Sequence, residues 1–143
     1  MTLILSALEK AIAQLEEAVQ FATSDLAQSN PRLAPHLRAA AIQAFEFTYE
    51  MSHKLLRRAL AASDPNPAAI ADLDFSGLIR AGYARSLLAQ DLTVWREFRH
   101  DRAATSHAYN NDTAQAVFDN IPRFLAEAKY LLRALQAQPP EAP

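Results

Sequence analysis

Apolar residues recur along this chain at helical spacings of three and four, and hardly any position suits a hairpin turn, since only 2 of its 143 residues are glycine. That spacing places side chains on one face of a helix, and without glycine the φ > 0 turns that close β-hairpins have few sites. The sequence therefore predicts an all-α fold. Leu5, Leu8, Ile12, Leu15, Val19 and Ala22 line one face of a helix over about residues 3–27, opposite Glu9, Lys10, Glu16 and Glu17. Pro31 and Pro35 end it, and a second helix runs on to about residue 62, where Ser-Asp-Pro-Asn-Pro stops it. At 100° per residue, Ile42, Phe45, Phe47, Tyr49, Met51, Leu55 and Leu56 cover about half of that helix's circumference or more. Gln43, Glu46, Glu50, His53 and Arg57 remain as a narrow polar stripe. A helix this apolar is expected at the centre of the fold.

A short helix follows over about 75–89, and Asp91 caps the next one, DLTVWREFRHDRAA. Asp112, with Gln115 three residues on, reads as the cap of a last helix reaching about residue 137, which Pro122 should kink or restart. The expected architecture is an antiparallel bundle of four or five helices forming a single domain over residues 1–137. The final residues, 138–143, contain adjacent prolines and no apolar anchor, and are expected to form a disordered tail.

Composition narrows the functions available. With 14 basic and 16 acidic side chains the formal charge is -2, so no global basic field draws the chain to nucleic acid, and any such contact needs a local cluster. The absence of cysteine removes disulfides, thiolate metal sites and thiol nucleophiles. No apolar run reaches the roughly 18 residues that span a bilayer, and Glu9 and Lys10 interrupt the start before a signal-like core develops, so a cytoplasmic protein without membrane attachment is expected. His36, His53, His100 and His107 show neither HExxH nor i, i+4 pairing, and neither GxxxxGK[ST] nor GxGxxG occurs. No metal or other cofactor is expected.

Two clusters hold possible chemistry. Glu46 and Glu50 lie one turn apart, close enough for two carboxylates to share a task, but Arg57 and His53 on the same stripe would neutralise them, which favours a salt-bridged surface. The segment WREFRHDRAATSHAYNND gathers Arg96, Arg99, His100, Arg102 and His107. An arginine fork suits phosphate oxygens and a histidine moves protons near neutrality, so Arg102 with His107 could bind and cleave a phosphodiester without metal. By spacing alone the bland reading is the stronger one, since an arginine and a histidine five residues apart often occur by chance, and Tyr109 as readily caps or packs before the last helix. Trp95 and Phe98 read as core rather than as base-stacking platforms.

The run from Arg102 to Tyr109, Arg-Ala-Ala-Thr-Ser-His-Ala-Tyr, resembles the R-x4-H-x-Y motif of the HEPN superfamily. Independently, IQAFEFTYEMSHKLLRRAL at residues 42–60 is similar to the RFEFTFELAWKTL signature of that superfamily's nucleotidyltransferase substrate-binding-like branch, and the resemblance spans about residues 3–135. It implies a HEPN-like, homodimeric helical bundle that pairs with a minimal nucleotidyltransferase. In the toxin members of such toxin-antitoxin pairs, the residues matching Arg102 and His107 meet across the dimer as a metal-independent ribonuclease. The nucleotidyltransferase neutralises the toxin by transferring AMP to the tyrosine matching Tyr109. Arg96 and Arg99 would then bind RNA or nucleotide. The alternative is a non-catalytic subunit that holds nucleotide or substrate for the nucleotidyltransferase. Two positions depart from the pattern: Ala103 stands where a polar residue, commonly Asn, usually follows the arginine, and Asn110 where an acidic residue is common.

Overall fold

The structure, a computed structural model, describes residues 5–138. The first helix, α1 (Ser6–Ala22), buries Leu8, Ala11, Ile12 and Leu15, as the spacing predicts. It stops short of residue 27 because two hydroxyls compete for its last carbonyls: Thr23 Oγ1 donates to Val19 O at 2.8 Å and Ser24 Oγ to Phe21 O at 2.6 Å. Ser24 also caps a separate turn, α2 (Asp25–Gln28), by accepting the Ala27 N–H. Pro35 opens α3 (Ala34–Ser63), sitting in the first turn where a missing amide costs no helical bond.

α3 is the central helix and packs against α1 and every later helix of the fold. One residue of its expected apolar face does not belong there: Phe47 is 54 % exposed. It lies about 200° around the helix from buried Phe45, so it points away from the core. α4 (Pro67–Ala71) was not expected from the periodicity, being too short to show any; its signal is the Asn66-Pro67 pair, in which Asn66 accepts the Ala69 N–H and proline starts the helix.

α5 (Phe75–Ala84) starts at Asp74, which accepts the Gly77 N–H at 2.7 Å, and ends five residues before the expected 89. There Ser86 takes φ 61, Ser86 N donates to Tyr83 O at 3.0 Å and Leu87 N to Gly82 O at 2.9 Å. This is a Schellman ending with serine in the place glycine favours, and it lets Leu87 and Leu88 enter the core. Gly82 has a packing role: a Cβ there would stand 3.0 Å from Leu56 and 3.1 Å from Leu88.

α6 (Leu92–Ala104) begins at the expected cap, Asp91, and runs into a 3-10 turn, Thr105–His107. The last helix, α7 (Asn111–Gln136), is capped by Asn110, which accepts from Asp112 N and Thr113 N, instead of by Asp112. It continues through Pro122 without the expected restart. Residues 139–143 of the expected tail, and the first residues assigned to α1, lie outside the described residues.

Contacts between helices fix their directions. Glu16 pairs with Lys129 and Glu9 with Gln136, so α1 and α7 are antiparallel. Asp101 meets Asn120 and Trp95 meets Glu127, so α6 and α7 are antiparallel as well. Arg38 with Asn111 and Phe45 with Phe124 set α3 parallel to α7, which completes the antiparallel bundle of four long helices. No described helix is long and apolar enough to cross a membrane.

Trp95 and Phe98 are core residues, as their spacing predicts. Phe98 meets Phe124 edge-on at 5.3 Å, Phe124 meets Phe45 at 5.1 Å, and Trp95 meets Phe98 at 5.3 Å. Each edge-to-face pair contributes about 0.5–1.5 kcal/mol beyond its buried area. Together they lock α6 against α3 and α7, and so set the position of everything α6 carries.

Candidate functional site

The last turn of α6, the 3-10 turn after it and the turn that leads into α7 carry Arg102, His107 and Tyr109 in a short, tightly held stretch. Buried Thr105 anchors it: its Oγ1 donates to Arg102 O at 2.7 Å and accepts from Arg102 Nη1 at 3.2 Å. Ser106 Oγ donates to Ala103 O at 2.9 Å, and Asn110 N donates to His107 O at 3.0 Å. Between these fixed points the two rings project outward, His107 and Tyr109 standing 6.0 Å apart between centroids at 69°. Tyr109 is 87 % exposed, which removes the packing reading of this residue and leaves its hydroxyl open to reagents. The cap of α7 is its neighbour Asn110.

Arg102 reaches across to α3. Its Nε donates to Glu50 Oε1 at 3.0 Å, Nη1 stands 3.8 Å from Glu46 Oε2, and among the described residues Nη2 has no partner. The two glutamates are thus salt-bridged as expected, but by a cation from another helix. Arg57, expected to neutralise them, instead donates from Nη1 to the carbonyls of Ile70 at 2.9 Å and Leu73 at 3.0 Å, at and just beyond the end of α4. Since the Arg102 pair is partly exposed, it contributes less than about 1 kcal/mol and serves chiefly to aim the guanidinium.

The other stripe residue, His53, stacks between Tyr49 and Phe75, with interplanar angles of 22° and 1°. Burial, and then the Arg57 charge, push its pKa below the usual 6.5 against the opposing pull of Glu50. The unfolded chain therefore takes up a proton as pH falls through 6.5 that the native imidazole still refuses, so this group costs stability on the acid side and nothing above that window. His53→Gln should flatten the acid-side decline, as urea unfolding on either side of pH 6.5 would show; an unchanged slope would refute the assignment.

Arg96, Arg99 and Arg102 do not form one patch, because steps of three along a helix turn each side chain by about 60° from the last. Arg99 faces α5, its guanidinium carbon 4.7 Å from the centre of the Phe75 ring. Arg96 lies on the α7 side, in a hollow of about 400 Å³ shared with Glu97, Asp101 and Arg123. Asp101 there accepts from Asn120 Nδ2 at 3.1 Å, and burial pushes its carboxyl above the ordinary range. Among the described residues no group of three or more His, Cys, Asp or Glu is arranged to hold a metal ion. The sequence pointed to Arg102, but Glu50 and Thr105 as its partners were missed. Thr105 lies inside the motif as one of its unspecified residues, and Glu50 is 52 residues away.

A family model described as nucleotidyltransferase substrate binding protein like matches residues 3–137. A Haemophilus influenzae protein named probable ribonuclease HepT is 34% identical over 134 residues, covering 92% of this chain and 91% of that protein. A solved Haemophilus influenzae structure, described as revealing the fold of a substrate binding domain of a nucleotidyltransferase, aligns with a TM-score of 0.87 at 33% identity over 93% of this chain and 99% of that one.

Proposed function

The chain belongs to the nucleotidyltransferase substrate binding protein like family, and on that premise we propose that it is a metal-independent ribonuclease, the toxin of a toxin-antitoxin pair, silenced when a nucleotidyltransferase partner transfers AMP to Tyr109. The observation that carries the reading is the placing of a held guanidinium, an exposed imidazole and a bare phenol on one short stretch from the end of α6 to the start of α7. The relative named a probable ribonuclease supports it.

In this reading the ribose 2′-hydroxyl attacks the adjacent phosphorus and the 5′-oxygen of the next nucleotide leaves, giving a 2′,3′-cyclic phosphate and a 5′-hydroxyl end. His107 moves the proton, and Arg102 stabilises the charge gathering on the phosphoryl oxygens with the donor Glu50 leaves free. A homodimer would bring two such sets together, one to take the proton and one to give it. Arg96 and Arg99, about 60° apart around α6, would hold flanking RNA phosphates. For silencing, the Tyr109 oxygen attacks the α-phosphorus of ATP, loses its proton and expels pyrophosphate. The attached AMP then places negative charge and bulk beside His107, where the RNA phosphate must lie.

Two observations favour a second reading, a non-catalytic subunit that holds nucleotide for the transferase: Arg102 is already engaged by Glu50, Glu46 and Thr105, and Ala103 provides no side-chain hydrogen bond beside it. Cleavage in excess EDTA separates the two, using protein whose intact mass shows Tyr109 unmodified. The expected result is RNA cut to cyclic phosphate ends while the same sequence as DNA survives. Addition of the transferase with ATP should raise the mass by one AMP and stop cutting, whereas Tyr109→Phe keeps cutting. Inert, folded, unmodified protein would select the second reading.

A further inference from the structure

Beside Arg102, between α3 and α5, lies an open hollow of about 280 Å³, near the lower limit for small-molecule sites and suited to a single flat ring system with one polar edge. Glu50 lies on its rim, so an occupant sits one side chain away from the motif arginine. The hollow has an aromatic wall: Tyr49, His53 and Phe75 stand in series, with His53 parallel to Phe75 at 6.1 Å between centroids, and Arg99 covers Phe75. The stack ends in the exposed Arg99 guanidinium, and such a plane, backed by an aromatic ring, is a surface on which unpaired bases stack.

Its polar groups suit the edge of a base. His53 is uncharged at neutral pH and offers one donor and one acceptor. Asp74 uses Oδ1 to cap α5 and keeps its second carboxylate oxygen as an acceptor. Arg57 also lines the hollow, but its Nη1 is spent on backbone carbonyls. A second hollow, of about 310 Å³ near Ala108, has no aromatic lining, and its Arg38 is tied to Asn111 and Gln115.

We propose that the hollow lined by His53, Phe75, Asp74 and Arg99 is a nucleobase subsite that holds an unpaired base next to the phosphate at Arg102 and prefers bases bearing an exocyclic amine, adenine, cytosine or guanine, over uracil. The amine donates to the Asp74 carboxylate, whereas the one donor on uracil's pairing edge, its N3–H, lies between two carbonyl oxygens that a carboxylate repels. The inference rests on the ribonuclease reading for its substrate, although the binding it describes does not require cleavage.

The test measures binding of single-stranded hexanucleotides of A, C and U to full-length His107→Ala protein in EDTA, so that nothing is cut. The U hexamer should bind weakest. Phe75→Leu, which preserves bulk, should weaken the A and C hexamers about tenfold through lost stacking. Asp74→Ser, which keeps a capping oxygen for α5, should erase the preference against U while sparing the rest of the affinity. Equal binding of all three sequences, or a preference that survives both substitutions, would overturn the subsite. If the preference is present and lost as described, yet unmodified wild-type protein cuts no RNA, the subsite stands and the ribonuclease reading falls. Displacement of the A hexamer by free ATP would then identify the base as that of a mononucleotide.

Discussion

Replacing His107 by alanine lowers RNA cleavage by about a thousandfold and leaves the melting temperature unchanged. The first half follows from acid-base catalysis, in which one positioned proton carrier contributes roughly 10²–10⁴-fold. The second half follows from exposure: His107 lies on the surface, and the recorded hydrogen bond of its residue is made by the main-chain carbonyl, which alanine retains. A substrate whose leaving group needs no proton sorts the roles further. It should restore cutting by His107→Ala if His107 protonates the departing oxygen, and should not if the histidine takes the 2′-hydroxyl proton. Arg102→Lys should fail nearly as badly as Arg102→Ala, because an ammonium cannot hold Glu50 and Thr105 and still present a separate donor in the plane of a fork. Rates within a few fold of wild type for His107→Ala would remove this residue from the mechanism.

What the sequence showed and what it hid divide along a physical line. Local chemistry was legible: the three-four spacing of α1 and α3, the Asp91 cap, and the burial of Trp95 and Phe98 all depend on residues within a turn or two of each other. The run from Arg102 to Tyr109 stood out too, through the motif it resembles. Contacts between helices were not. Which cation meets Glu50 depends on how α6 crosses α3, and Arg57 is drawn away to the carbonyls at the end of a helix too short for the periodicity to reveal. The spread of Arg96 and Arg99 to two sides of α6 was hidden similarly, because closeness in sequence says little about which groove each side chain enters. Phe47 shows the same limit, since a helix can carry apolar residues over half its surface while neighbours cover less.

Glu127 carries the largest stability effect expected in this chain. Its carboxylate is buried, 2 % exposed, and accepts from Trp95 Nε1 at 2.8 Å, Ala89 N at 3.1 Å and Gln90 N at 2.9 Å. It therefore ties α7 both to the Trp95 indole and to the main chain that joins α5 to α6. Alanine would leave the buried Trp95 N–H unpaired, at a cost of about 1–3 kcal/mol, strip the carboxylate from the two part-buried main-chain donors, and open a cavity beside Trp95. The expected loss for Glu127→Ala is about 4 kcal/mol or more, a fall in Tm of roughly 10–15 °C at a few degrees per kcal/mol. Glu127→Gln keeps one acceptor but turns an amide donor toward other donors, and should lose about half as much. Urea unfolding followed by emission from Trp95, the chain's 1 tryptophan, reads both the stability and the wetting of the site. Melting of the alanine variant within a few degrees of wild type would show that water or a shifted loop replaces the carboxylate. The consequence reaches function because α6 is positioned at its start by this clamp and carries Arg102 at its end: as Glu127→Ala loosens the start, the aim of Arg102 at Glu50 loosens with it, and RNA cleavage should fall at temperatures where the variant is still folded.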